Sequence, residues 1–122
     1  MTPASLAAPV VRHLGEVTAV PCPCGASTRL ITSSDQLGFN LHITEIADSI
    51  AHYHRHSTEV YTILEGSGTI ELDAKPVAVG PGSVVVIPPY VRHRLKSLEP
   101  GRPVRVHIVG FPAWQVDDEH FD

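Results

Sequence analysis

The stretch that decides how this chain is read runs His52-Tyr53-His54-Arg55-His56-Ser57-Thr58-Glu59, with six residues between Glu59 and Gly66. A second stretch complements it: Gly82, five residues, Pro88-Pro89-Tyr90, and then His93. Residues two apart on a β-strand point the same way, about 6.6 Å apart along its axis, so His52 and His54 can converge on one ion. Glu59 has the wrong parity to share their face on an uninterrupted strand. A turn or bulge across Arg55 to Thr58 must therefore reset the phase, and Ser57-Thr58 suits one. His93 arrives from another strand, past the Pro88-Pro89 break. Three imidazoles and one carboxylate form a donor set for a single divalent ion, Fe, Mn, Ni, Zn or Cu. They leave coordination positions open to water or substrate, unlike a structural zinc closed by four ligands. Three histidines within five residues are, by themselves, equally a solvated surface run. The added Glu59, Gly66, Gly82, Pro88 and His93 favour a metal site.

Working outward, the chain punctuates itself. Eleven prolines and nine glycines divide 122 residues into short segments, which argues against long helices and for an all-β domain. Phe39, Leu41 and Ile43 alternate with Asn40, His42 and Thr44, which predicts a strand with an apolar core face and a polar outer face. Gly66-Ser67-Gly68 links Val60–Glu65 to Thr69–Asp73 as a hairpin. Ser83-Val84-Val85-Val86-Ile87 is nearly all β-branched and predicts a strand covered on both faces. Further strands are expected over Thr28–Thr32, Val77–Val79, Val91–Leu95 and Val104–Val109, with one short strand near Val17–Val20. Eight to ten short strands at this spacing suit a jelly roll or small closed barrel. Residues 1–25 are expected to form an N-terminal arm, 26–110 the barrel, and 111–122 a tail that packs its aromatics back on it.

Composition narrows the function. Nine Lys plus Arg against thirteen Asp plus Glu leave a formal charge of −4 and no basic stripe for a phosphate backbone, so nucleic acid is not an expected partner. No apolar run approaches the roughly 18 residues of a membrane span, and Ala4 to Val11 is broken by Pro9 and lacks a basic leader. A cytoplasmic protein with no membrane partner is the expectation. Cys22 and Cys24 are too few and too close for a secreted disulfide framework, so reduced thiols packed on the barrel are expected.

The two stretches resemble the paired motifs of the cupin superfamily, G-x5-H-x-H-x3–4-E-x6-G and G-x5-P-x-G-x2-H-x3-N. His52, His54, Glu59 and Gly66 match the first, and Gly82, Pro88 and His93 the second. The leading glycine, expected near Ala47 or Ile46, is missing, and Tyr90 and Ser97 replace the glycine and asparagine of the second motif. The resemblance, to small single-domain bacterial cupins, implies a double-stranded β-helix (jelly-roll barrel) and His52, His54, Glu59 and His93 as metal ligands. His56 would require a rival register that the cupin spacing excludes. Quercetin-dioxygenase-like cupins make a metal-dependent oxidoreductase the leading expectation, with a small organic substrate and Glu59 and Tyr61 in catalytic roles. Tyr61 is included because it shares Glu59's strand parity. Arg29, His42, Tyr53, Arg92, Arg94 and His107 are candidates for outer contacts or for a substrate carboxylate, although an exposed strand face suits Arg92 and Arg94 better. Tyr90 would narrow the pocket mouth. A non-catalytic binding or sensing barrel and a sugar isomerase or epimerase are the alternatives, and a homodimer is expected.

Overall fold

The computed structural model describes residues 8–122, so the first seven residues of the expected arm lie outside the described residues. It is all-β. The strands are β1 (Val20–Cys22), β2 (Gly25–Ile31), β3 (Asn40–Ile46), β4 (Thr58–Glu65), β5 (Gly68–Leu72), β6 (Lys75–Val79), β7 (Val84–Ile87), β8 (His93–Ser97) and β9 (Val104–Phe111). They form a six-stranded sheet in the order β1-β2-β3-β9-β4-β7 and a three-stranded sheet in the order β6-β5-β8. Every pairing is antiparallel. The two sheets enclose Ile46, Ile63, Ile70, Leu95, Val104 and Val106, each no more than 3% exposed. This is the jelly-roll cupin barrel. The tail forms one short 3-10 turn, Val116–Asp118.

The connection from β3 to β4 lengthens the smaller sheet. Asp48 bridges Lys96, and His52 bridges His93 through reciprocal backbone bonds of 3.1 and 2.8 Å. Two metal-candidate histidines are thereby placed opposite each other by main chain alone.

Three expectations are corrected. On β3 the buried residues are Asn40, His42, Thr44 and Ile46, whereas Leu41 and Ile43 are only half-buried, so the face assignment is inverted. The reason is that the interior here is partly a polar cavity, and its hydroxyls find partners inside it: Ser27 and Thr44 meet at 3.1 Å. The run in β7 is not covered on both faces, because β7 is an edge strand and Val84 and Val86 are 61% and 59% exposed. Cys22 and Cys24 are joined as a disulfide. They flank the tight β1–β2 turn, where Cys22 pairs with Gly25 and the two Cα atoms lie 5.2 Å apart, within the reach of a bridge.

Tyr90 explains the family's preference at its position. Its φ is 70°, in the left-handed region that glycine enters without steric cost. The ring is 66% exposed, away from the cavity, and stacks on Tyr53 at 6.1 Å, so Tyr90 does not narrow the pocket. Ser97, in the asparagine position, bonds the carbonyls of Glu99 and Arg102 and ties down the β8–β9 turn.

Candidate metal centre

Cross-strand register builds the site's floor row by row. Asn40 pairs with Gly110, Gly110 with Glu59, and Glu59 with Ile87. The next inward row runs Arg29, His42, Ile108, Tyr61, Val85. Glu59, Tyr61 and Ile63 are the buried positions of β4, and the segment after His54 supplies the phase change that Glu59 requires. Asp118 makes that segment rigid: its carboxylate accepts the N–H groups of Arg55, His56 and Ser57 at 2.9, 3.1 and 3.3 Å.

His52, His54, Glu59 and His93 come together, with one donor atom from each lying within 4.8 Å of all the others. Each imidazole is oriented from behind. His52 Nδ1 faces the Ile50 carbonyl at 2.7 Å, His54 Nδ1 that of Asp118 at 2.9 Å, and His93 Nδ1 that of Val91 at 2.9 Å. A carbonyl only accepts, so each Nδ1 carries the hydrogen and each Nε2 presents a lone pair to the centre. His54 Nε2 and His93 Nε2 lie 3.0 and 3.2 Å from Glu59 Oε1, within ion-pair distance. All three atoms are nevertheless buried without a hydrogen-bond partner. The short distances and the missing bonds agree once direction is considered: the atoms are aimed at a shared point rather than at one another. Buried polar atoms left unpaired carry a cost that a bound cation relieves, so the donor set fits a divalent metal ion.

Charge follows the same geometry. Burial pushes the Glu59 carboxyl up, but the neighbouring His54 and His93 outweigh it and hold Glu59 ionised, well below the usual range. Burial pulls His54 down, yet Glu59 raises it above an ordinary histidine. His52 falls to about 4, from burial and then from His93. His42 also falls to about 4, from burial and then from Arg29. Tyr61, fully in the interior, is raised well above the usual phenol by burial and then by Glu59.

The cluster opens into a cavity of about 390 Å³ bordered by Arg29, His42, Tyr61, Trp114, Glu119 and the Cys22–Cys24 turn. A larger, shallower groove of about 910 Å³ along Glu45, Lys96 and Arg102 contains no converging donors among the described residues. The remaining sequence candidates divide by face. Arg29 and His42 line the cavity, Tyr61 stands edge-on to His93 at 6.0 Å, and Arg94 pairs outside with Asp48. Arg92 lies over the Tyr53 ring and reaches the tail carbonyls of Phe121 and Asp122, and His56 is exposed outside the cluster. Sequence reasoning missed Asp118 and Glu119. Glu119 Oε1 lies 3.5 Å from His52 Nε2, and burial raises its carboxyl. The acidic, aromatic tail was the only signal for them.

Comparison with known proteins gives this geometry its relatives. The L-ectoine synthase of Teredinibacter turnerae is 35% identical over 78 residues, which cover 60% of this chain and 58% of that protein. The L-ectoine synthase of Saccharophagus degradans is 32% identical over 97 residues, covering 72% and 73%. The crystal structure of a protein from Planctomyces limnophilus matches with a TM-score of 0.86 at 30% identity, over 98% of this chain and 100% of that one. These relatives overturn the expected dioxygenase-like oxidoreductase, because both are named as synthases of L-ectoine and neither as an oxygenase. The physical reason is that three imidazoles and a carboxylate fix a cation without fixing its chemistry, and a Lewis acid uses the same ligands as a redox metal. The family model described as a cupin domain matches residues 42–110, more than half of the chain and all four converging side chains, and the chain belongs to that family.

Proposed function

We propose that the chain is a metal-dependent lyase that removes water from a small polar molecule, by elimination or ring closure, at the centre formed by His52, His54, Glu59 and His93. The observation that carries this reading is the set of buried, unpartnered Nε2 and Oε1 atoms on His54, His93 and Glu59, at the end of a cavity large enough for a small molecule. The relatives' name supports the reaction class. A bound divalent ion would supply Lewis-acid polarisation of a substrate oxygen.

The chain's own side chains provide the rest. Elimination of a hydroxyl moves one proton off carbon and one onto the departing oxygen as a C–O bond breaks, whereas closing an amine onto a carbonyl moves two protons from nitrogen to the departing oxygen; neither needs an oxidant. Glu119 holds a proton more readily than an ordinary carboxyl because it is buried, which suits it to giving and taking such protons. Tyr61 keeps its hydroxyl hydrogen, so it serves as a fixed donor toward a substrate oxygen. Glu59 stays ionised and would present its charge to a bound cation beside His54 and His93.

The test uses metal-loaded protein and L-ectoine in 18O-labelled water, since a cyclodehydratase also catalyses the reverse hydration. Ring-opened product or label incorporation, absent without metal, is the expected result. A sample with a full complement of metal that leaves L-ectoine and a panel of small β-hydroxy and amino-carbonyl compounds unchanged would reduce the site to one that only holds its ligand.

A further inference from the structure

One cation in the cavity makes no ion pair with any described residue. Arg29 projects inward from β2 opposite His42, one row away from Glu59. Its Nε is buried with no hydrogen-bond partner, and no ion pair among the described residues includes it. Its guanidinium carbon lies 5.0 Å from the centre of the Trp114 ring, and the His42 ring meets the same indole edge-on at 6.0 Å. Trp114 is itself anchored, because its backbone N–H donates to Asn40 Oδ1 at 2.6 Å. A guanidinium stacked on a fixed aromatic keeps its fork in one plane, the arrangement that binds a carboxylate through two parallel hydrogen bonds.

We propose that Arg29, held by Trp114, is the anchor for a substrate carboxylate, so that the molecules taken by this cavity are small carboxylic acids whose other end reaches the Glu59 cluster. This rests on the lyase reading for the identity of the reacting end, but not for the anchor itself. A carboxylate is favoured over a phosphate because the cavity lining holds one arginine and no lysine, with Glu59 and Glu119 also facing in. One guanidinium pairs with one carboxylate, whereas the second charge of a phosphate dianion would face Glu59 and Glu119 with no cation of its own.

Trp114 is the only tryptophan, so its emission reports on this subsite without any need for turnover. The probes are butanoate and 4-hydroxybutanoate, both monoanions, compared with the neutral butanamide and 4-hydroxybutanamide, titrated into metal-free and metal-loaded protein. The expected result is a saturable change in Trp114 emission, with the acids bound at least tenfold more tightly than the amides in both forms. Arg29→Gln should abolish that preference, and Arg29→Lys should keep part of it, having charge without the planar fork. Equal binding of acid and amide by the unaltered protein, or a preference unchanged in Arg29→Gln, would overturn the proposal. Should Arg29→Gln fail to fold, the acid–amide comparison on the unaltered protein and the Arg29→Lys variant decide it. Elemental analysis of the same samples separates the two claims. Protein that takes up no metal but prefers acids keeps the anchor and loses the lyase, whereas stoichiometric metal with no preference does the opposite.

Discussion

His54 Nδ1 donates to the backbone carbonyl of Asp118 at 2.9 Å, while the Asp118 carboxylate holds the N–H groups of the three residues that follow His54. One residue of the tail thus sets both the ring orientation of a metal-candidate histidine and the kink that brings Glu59 to it. The carbonyl survives substitution, so Asp118→Ala removes only the carboxylate. Charge-assisted bonds of this kind contribute roughly 1.5–3 kcal/mol, and groups that orient metal ligands are worth about 10–100-fold in affinity. Asp118→Ala should lower thermal stability by about that energy and weaken metal binding in a chelator competition, and Asp118→Asn, which keeps one acceptor oxygen, should fall between. Unchanged metal affinity in a folded Asp118→Ala protein would show that the kink holds itself.

The four converging residues make a sharper contrast with their neighbour. His93→Ala deletes a donor at the buried centre, whereas His56→Ala removes an exposed ring outside it. Purified without a histidine tag, the His93 variant should carry at least about tenfold less metal, and the His56 variant should keep a full complement. The reverse outcome, read by elemental analysis, would move the ligand register to His54 and His56.

Metal uptake should depend on pH through the proton on His54. His52 titrates near 4 and is neutral above about pH 5, so it contributes no slope. His54 is the group to deprotonate, because Glu59 raises it above the ordinary 6.5. In the metal-free protein the resulting His54–Glu59 attraction contributes stability that is fully present below pH 6.5 and is lost as pH rises through His54's own, higher value. A cation competes with that proton, so log affinity should climb by at least about one unit per pH unit below His54's value and flatten above it. Chelator competition from pH 5.5 to 8.5 at constant ionic strength measures this. A flat profile across that range would show that His54 carries no proton for the cation to displace.

Much of the fold was legible because the strands here are short, β-branched and separated by glycine and proline, and the observed bounds of β4, β5 and β9 lie within a few residues of those expected. The converging cluster was legible for a different reason: His52, His54 and Glu59 are close in sequence, and the Pro88-Pro89 break restarts the chain as a strand that begins at His93. What failed was the assumption that apolar residues mark the inner face. In β3 the inner face is polar because it lines a cavity, and a parity rule cannot distinguish a polar interior face from the outside. Reaction type was not legible either, since ligand identity does not determine what a bound cation does. Asp118, Glu119 and Trp114 approach the site from the far end of the chain, and no spacing rule links residue 118 to residue 54.

Gly110 shows how tightly that distant tail is coupled to the barrel floor. It lies between Asn40 and Glu59 in the sheet, and a Cβ there would collide with Asn40 Oδ1, the atom that accepts the Trp114 N–H. Its backbone is ordinary extended strand, so Gly110→Ala is a purely steric insertion, of a kind that costs about 1–3 kcal/mol in a packed interior. Asn40 must swing away, releasing Trp114, so the variant should lose stability and shift its tryptophan emission to the red. Asn40→Ala opens the space that the new methyl needs. In that background Gly110→Ala should cost markedly less, a coupling that a double-mutant cycle reads directly. If the cost is the same with and without Asn40, the methyl is meeting something other than Asn40, and the link between the β9 glycine and the Trp114 wall fails.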